Sequence, residues 1–298
     1  MASTRFRSDA GLTARMSLVM LLLGGLYVTV MAALIVSGAS AVTVIVLATA
    51  LGLGQWYFSD KLAMKAMRAR EVSPEQAPEL HGMIDRLCAM ADMPKPRVAI
   101  ADIDVPNAFA TGRSPNHSVV CVTTGILHRL DRDELEGVLS HELSHVAHRD
   151  VLVMTIAGFL GVAAGLVMRW GFYFGGGRRD NNSAVPFIVI WLGSMVVYLI
   201  SFLLTRVLSR YRELSADRAG AYLTGKPSAL ASALTKISGD MARIPTRDLR
   251  ATQAFNAFMF APALNKESIS GLFSTHPPLE QRLNQLSQIS ADLSRPTS

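Results

Sequence analysis

His141 and His145 stand four apart with Glu142 between them, in the run Ser140-His141-Glu142-Leu143-Ser144-His145. On an α-helix such a pair lies about 40° apart around the axis, so both rings reach one ion. Glu142 then points to a neighbouring face, where it can touch a water at the metal without being a ligand. That is the position of the general base in a zinc peptidase. The motif is short, so it gains weight only if a third ligand can be found.

Farther along, Arg206, Arg210, Glu213 and Asp217 recur at intervals of four, three and four and share one helical face. A charged stripe on a solvated helix is the plainer account of that pattern. A catalytic zinc, however, takes three protein ligands and keeps an open position, and two His with one Glu is an established set. Glu213 would supply the carboxylate. Asp217, one turn later, would accept a hydrogen bond from the far nitrogen of a ligating His and fix its tautomer. His148 shares the face of His141 and His145, but two turns along the axis put it about 10 Å from His141, too far for one ion. The longer metzincin pattern fails because Val151 stands where it needs a third His. His276 can approach in three dimensions and is a weaker candidate for direct ligation than Glu213. Before Pro277 and Pro278 it reads as a cap-region side chain, with a hydrogen bond to the oxyanion of peptide hydrolysis as its functional alternative.

The elements that must position these groups are legible in outline. Asp131 followed by Glu134 is a capping-box start, and Leu135, Val138, Leu139, Leu143 and Val146 form an apolar stripe, so the two histidines sit on a helix. Upstream, Leu80, Met83, Ile84 and Leu87 predict an amphipathic helix that Pro94 and Pro96 end, with His81 and Cys88 structural on it. Val98 to Ala101 and Val119 to Thr123 read as strands, joined through Asp104 to Gly112 and a Gly, Ser, Pro and Asn-rich turn. They form a small β-hairpin region whose edge could receive an extended peptide, although completion of the core is the favoured reading. Cys88 and Cys121 are the two cysteines, too few for a disulfide framework, and read as core residues facing a reducing compartment. Ala229 to Met241 and Leu279 to Leu286 read as amphipathic helices, and Ser294 to Ser298 as a disordered end.

With 50% hydrophobic and 17% charged residues and a mean hydropathy of +0.30, the chain is too apolar for an ordinary soluble protein of 298 residues. From Met16 to Ser59 no residue is charged, about twice the roughly 20 positions that one membrane crossing takes. Two helices turning at Ser37-Gly38-Ala39-Ser40 fit better than a signal peptide, whose apolar core is shorter and is not followed at once by a second run. Arg5, Arg7 and Arg15 precede this hairpin and Lys61, Lys65, Arg68 and Arg70 follow it, which puts both ends in the cytoplasm. Trp56, Tyr57 and Phe58 sit where an aromatic belt would be. Val151 to Met168 and Ala184 to Thr205 are two further uncharged runs, each long enough to span; spanning is the favoured reading over a hydrophobic hairpin that does not fully cross. Two crossings return the chain to the side it left, so the His-bearing helix and Glu213 share a compartment. Between them Trp170 to Ser183 is a Gly-rich, polar, mobile loop whose Arg178 and Arg179 run against the charge rule. The net charge of +6 is assigned to membrane flanks, because no basic stripe interleaved with aromatics suggests nucleic acid. Four segments follow: an N-terminal hairpin over 1–60, a first catalytic part over 61–150, a second hairpin over 151–205 and a second catalytic part over 206–298.

In combination, the N-terminal hairpin, Pro106-Asn107-Ala108-Phe109-Ala110-Thr111-Gly112, the His141 to His145 motif, the second hydrophobic pair, Ser209 to Asp217 and Ser274-Thr275-His276-Pro277-Pro278 are far more specific than the metal motif alone. The chain resembles the HtpX-type bacterial membrane metalloproteases, in the wider group that includes the eukaryotic prenyl-protein (CAAX) protease. The resemblance covers nearly the whole chain. It implies a mainly α-helical membrane protein with four hydrophobic helices and a cytoplasmic gluzincin-type metalloprotease domain carrying a small β-sheet. It implies one Zn2+ per chain on His141, His145 and Glu213, with Glu142 as catalytic base. It implies that Asn107, Ala108 and Phe109, on to Gly112, border the substrate cleft. The implied partners are the lipid bilayer and misfolded or unfolded membrane-protein substrates, within quality control and stress response at the cell (inner) membrane. A prenyl-peptide processing enzyme and a catalytically inactive scaffold are the rival readings, the second opposed by the completeness of the ligands and base.

Overall fold

The computed structural model describes residues 10–36, 41–158, 161, 164, 184–243 and 276–295. Long runs of apolar residues without Pro form α1 (Ala10–Val36) and α2 (Ala41–Tyr57). The turn expected at Ser37 to Ser40 lies outside the described residues. Leu21, Val28, Val42 and Val46 on these helices are exposed, a surface that water does not favour. One described helix, Leu192–Thr224, is long and apolar enough to cross a membrane, and Thr13–Val28 is a shorter apolar stretch. The run expected over Val151 to Met168 is helical over residues 150–158, and most of its remainder, with the loop Trp170 to Ser183, lies outside the described residues.

After α2 come α3 (Ser59–Ala66), the short strand β1 (Arg70–Glu71) and α4 (Pro78–Ala91). Pro78 opens α4 where its missing N–H costs nothing, and Asp92, left-handed at φ +52°, ends it. His81 is structural: its Nε2–H donates to the Val72 carbonyl at 3.0 Å. Next are β2 (Arg97–Ala101), β3 (Ala108–Ser114), β4 (His117–Thr123) and α5 (Thr124–Arg129), giving a mixed sheet in the order β1-β2-β4-β3.

This corrects the expected pairing. The strands at Val98 and Val119 do not form a hairpin; β2 runs parallel to β4, and the hairpin joins β3 to β4, with Ala108 opposite Val122 and Thr111 opposite Val119. The missed strand is rich in small residues, which weakens any sequence signal for β structure. Gly112 is required in it: at φ +146° a Cβ would stand 2.2 Å from the His117 carbonyl oxygen.

The His-bearing helix α6 (Arg132–Ala147) starts at a complete capping box, with the Glu134 N–H donating to Asp131 and the Asp131 N–H donating to Glu134. It is followed by α7 (Ala184–Thr224), α8 (Pro227–Arg243) and α9 (Leu279–Ser294). The last of these extends beyond the expected Leu286 and takes in Ser294, because Ile289 continues its buried stripe. α6 packs against α7, α8 and β3, and α9 against α7 and α8. The shared core holds Ile84, Leu87, Leu139, Leu143, Leu234 and Leu286, each wholly or almost wholly buried. Each such side chain contributes roughly 1.5–3 kcal/mol, enough in sum to fix α6 rigidly. A separate apolar cluster of Val19, Leu23, Ala157 and Leu208 joins α1, the 150–158 helix and α7. Cys88 and Cys121 are both buried, and burial pushes their thiols up to about 11 and about 12.

Candidate metal centre

The centre forms where α6 and α7 cross. Gly220 lets them approach, since a Cβ there would lie 2.8 Å from Ser140 Oγ and 3.0 Å from the His141 nitrogen. This brings Glu213, on the preceding two turns of α7, over the two histidines of α6. His141 Nε2 is 3.1 Å from His145 Nε2 and 3.7 Å from Glu213 Oε2, and His145 Nε2 is 3.4 Å from Glu213 Oε1. Donors bonded at about 2.0–2.1 Å to a tetrahedral ion lie about 3.3 Å apart, so the three separations suit one small metal ion. Their ligand atoms all lie within 4.8 Å of one another.

The protonation pattern points the same way. His141 Nδ1 lies 2.9 Å from Asp217 Oδ1, and His145 Nδ1 is paired with Asp150 Oδ2, so each carboxylate favours the ring proton on Nδ1. Each Nε2 therefore presents a lone pair, and two lone pairs converge with a carboxylate on one point. Such an arrangement is repulsive unless a cation lies between them. Burial keeps His141 below the ordinary histidine range and hence neutral, the form a ligand needs.

The surrounding carboxylates are held ionised. Burial alone would raise Asp217, but the Arg282 guanidinium, with two hydrogen bonds of 2.6 Å, outweighs it and holds the carboxyl below its usual range. Burial likewise opposes ionisation of Glu213, and His276, His145 and His141 together hold it well below the usual range. His276 Nδ1 lies 2.9 Å from Glu213 Oε2. Glu142 differs: burial, with Glu213 nearby, pushes it up to about 8. Its Oε2 accepts a 2.9 Å hydrogen bond from the Ala110 N–H on β3.

A cleft of about 1060 Å³ opens beside the centre. Ala110, Thr111, Gly112 and Ser114 of β3 form one wall, Leu51, Gly54 and Phe58 of the N-terminal hairpin and its exit form another, and His145, Glu213 and His276 line it. Arg113 stacks over the Tyr57 ring at 4.6 Å and ties β3 to the end of α2. Asn107, Ala108 and Phe109 are themselves buried beneath that wall, Asn107 through hydrogen bonds with Thr123. The structure thus brings together His141, Glu142, His145, Glu213, Asp217 and His276. His148 stands apart, its Nδ1–H donating to the Ser144 carbonyl at 2.7 Å as α6 ends.

Three contributors escaped the sequence reading: Asp150, Arg212 and Arg282. Arg282 carried a usable signal, since it occupies a core position of the stripe Arg282, Leu286 and Ile289, and a charge at such a position needs a buried partner. Arg212 and Asp150 carried none, being charges at the ends of apolar runs where positive and negative residues are ordinary.

Residues 74–290 match the family described as peptidase family M48. The chain is 59% identical over 293 residues to a "Protease HtpX homolog 1" of Streptomyces coelicolor, covering 97% of this chain and 96% of that one. It is 54% identical over 290 residues to a "Protease HtpX homolog" of Moorella thermoacetica, covering 96% and 97%. Among solved structures, S. mikatae Ste24p superposes with a TM-score of 0.55 over 93% of this chain and 67% of its own, at 18% identity, a likeness of fold alone.

Proposed function

Since this chain belongs to peptidase family M48 and is a metallopeptidase, we propose that it is a zinc endopeptidase of the membrane, cleaving misfolded or damaged membrane proteins at the cytoplasmic face. The observation that carries this is the convergence of His141, His145 and Glu213 on one point beside buried Glu142, at a cleft walled in part by the N-terminal hydrophobic hairpin. On this reading His141, His145 and Glu213 hold one zinc, and residues 1–60 and 151–205 are membrane hairpins that leave 61–150 and 206–298 on the cytoplasmic side.

A zinc held by His141, His145 and Glu213 would supply Lewis acidity at the scissile carbonyl and would lower the pKa of a bound water towards about 7. Glu142, whose ionised form a cation in the centre would favour, takes the water's proton and returns it to the leaving amine, and no covalent intermediate forms. The Ala110 N–H fixes the Glu142 carboxylate, so its position is set before substrate arrives. Asp217 and its partner Arg282 hold the His141 ring with Nε2 towards the ion. His276, lining the same cleft, is the proposed donor to the oxyanion. Strand β3, at the edge of the sheet beside Glu142, suits an extended polypeptide, which favours unfolded segments over compact ones.

Purified protein in detergent with zinc, given an unfolded membrane protein in one reaction and a prenylated peptide in another, separates the readings. Cleavage of the unfolded protein with the prenylated peptide left intact is expected. Cleavage confined to the prenylated peptide would indicate a processing enzyme, and cleavage of neither an inactive scaffold. A tag placed between Trp170 and Ser183 and reached only from the cytoplasm would reverse the assigned topology.

A further inference from the structure

His141 and His145 are held by different parts of the chain. Asp217 and Arg282, both in the catalytic part, hold His141. The partner of His145 is Asp150, the first residue of the 150–158 helix, immediately before the second hydrophobic segment. A continuous α6 would carry residue 150 about 140° around the axis from His145, facing away. It does not continue. Arg149 adopts a left-handed φ of +55°, a conformation rare for a residue with a side chain, and the break returns the Asp150 carboxylate to the His145 ring.

Asp150 is held in turn by an ion pair with Arg212, which precedes Glu213 on α7. The Arg212 side chain is 4% exposed and that of Asp150 14%. A guanidinium so buried persists only beside a carboxylate, so each member of the pair depends on the other. The pair also bridges the helix that leaves α6 to the helix that brings in Glu213. His145, Asp150, Arg212 and Glu213 thus form one connected group that joins two of the three ligand candidates where the second hydrophobic segment begins and ends.

We propose that Asp150, clamped by Arg212, is the positioning residue for His145, and that this clamp couples the metal centre to the geometry of the second hydrophobic segment. The inference rests on the zinc reading above. Its chemistry is orientation: Asp150 keeps the proton on His145 Nδ1 and thereby aims the Nε2 lone pair at the ion.

The test is zinc affinity of the full-length protein in detergent, read by competition with a chromophoric chelator, beside the melting temperature of the metal-free form. Asp150→Ala and Arg212→Met are each expected to weaken zinc binding about 10–100-fold; each leaves a buried charge without its partner, so the metal-free form is expected to melt lower and affinity is compared on protein shown to be folded. The double variant is expected to bind no more weakly than the worse single one, because both remove the same clamp. Asp150→Asn, close in size and still able to accept from His145, is expected to lose less affinity, and carries the test if the larger changes prevent folding. Wild-type affinity in both Asp150→Ala and Asp150→Asn, or losses that multiply in the double variant, would overturn the proposal. His145→Ala keeps the two ideas separable: if it retained wild-type zinc affinity, the ligand assignment itself would be wrong, whatever Asp150 does.

Discussion

Glu142→Gln is expected to lower kcat/KM for a polypeptide substrate by about 10²–10⁴-fold while leaving the zinc content at the wild-type level. The substitution is nearly isosteric, and an amide oxygen can still accept the Ala110 N–H, so the helix and the wall of the cleft keep their arrangement. What is lost is a group able to take a proton. Glu142 is 5% exposed, and its burial already disfavours the charged carboxylate. Replacing it with a neutral amide removes that penalty, so the variant is expected to melt no lower than the wild type. Loss of activity with retained zinc and undiminished stability is the signature of a missing base rather than a broken fold. Normal proteolysis by a variant that still binds zinc would sink the assignment.

Glu213→Ala should act on the other arm of the chemistry. Removing one of three protein ligands is expected to weaken zinc binding by more than the roughly 100-fold that losing a hydrogen-bonding partner of a ligand can cost. His148→Ala is expected to leave zinc affinity unchanged, because its ring is engaged with the Ser144 carbonyl and lies outside the ligand cluster. The contrast matters, since His148 is the nearest rival by sequence spacing. Glu213 also faces His276 at 2.9 Å and Arg282 at 3.7 Å, so its loss leaves buried Arg282 with Asp217 as its remaining counter-charge and the His276 ring without its carboxylate partner. Metal-free Glu213→Ala is therefore expected to melt below metal-free wild type, and affinity should be compared on protein shown to be folded. Retained affinity in Glu213→Ala together with loss in His148→Ala would reverse the ligand choice.

The groups that meet in the centre were readable because their spacing is local: His141 and His145 stand four positions apart, as do Glu213 and Asp217, and each pair shares one face of a helix. The capping box at Asp131 was readable for the same reason. Legibility ended where geometry depends on a long-range contact or an unusual backbone. The β3 strand hides behind small residues, so the hydrogen bond from Ala110 to Glu142 had no sequence signal. Asp150 reaches His145 through a left-handed residue at Arg149, which helical periodicity argues against. The cleft wall lies at Ala110 to Ser114, while Asn107 to Phe109 are buried: the Asn107 backbone bonds Thr123, and Ala108 and Phe109 enter separate apolar clusters on opposite faces of the sheet.

The most direct measurement is the zinc content of the purified wild-type protein together with zinc-edge X-ray absorption. The expected result is about one zinc per chain, with nitrogen and oxygen neighbours at about 2.0–2.1 Å and no sulfur. Zinc far below that stoichiometry after loading, or a sulfur neighbour at about 2.3 Å, would contradict a centre built from His141, His145 and Glu213.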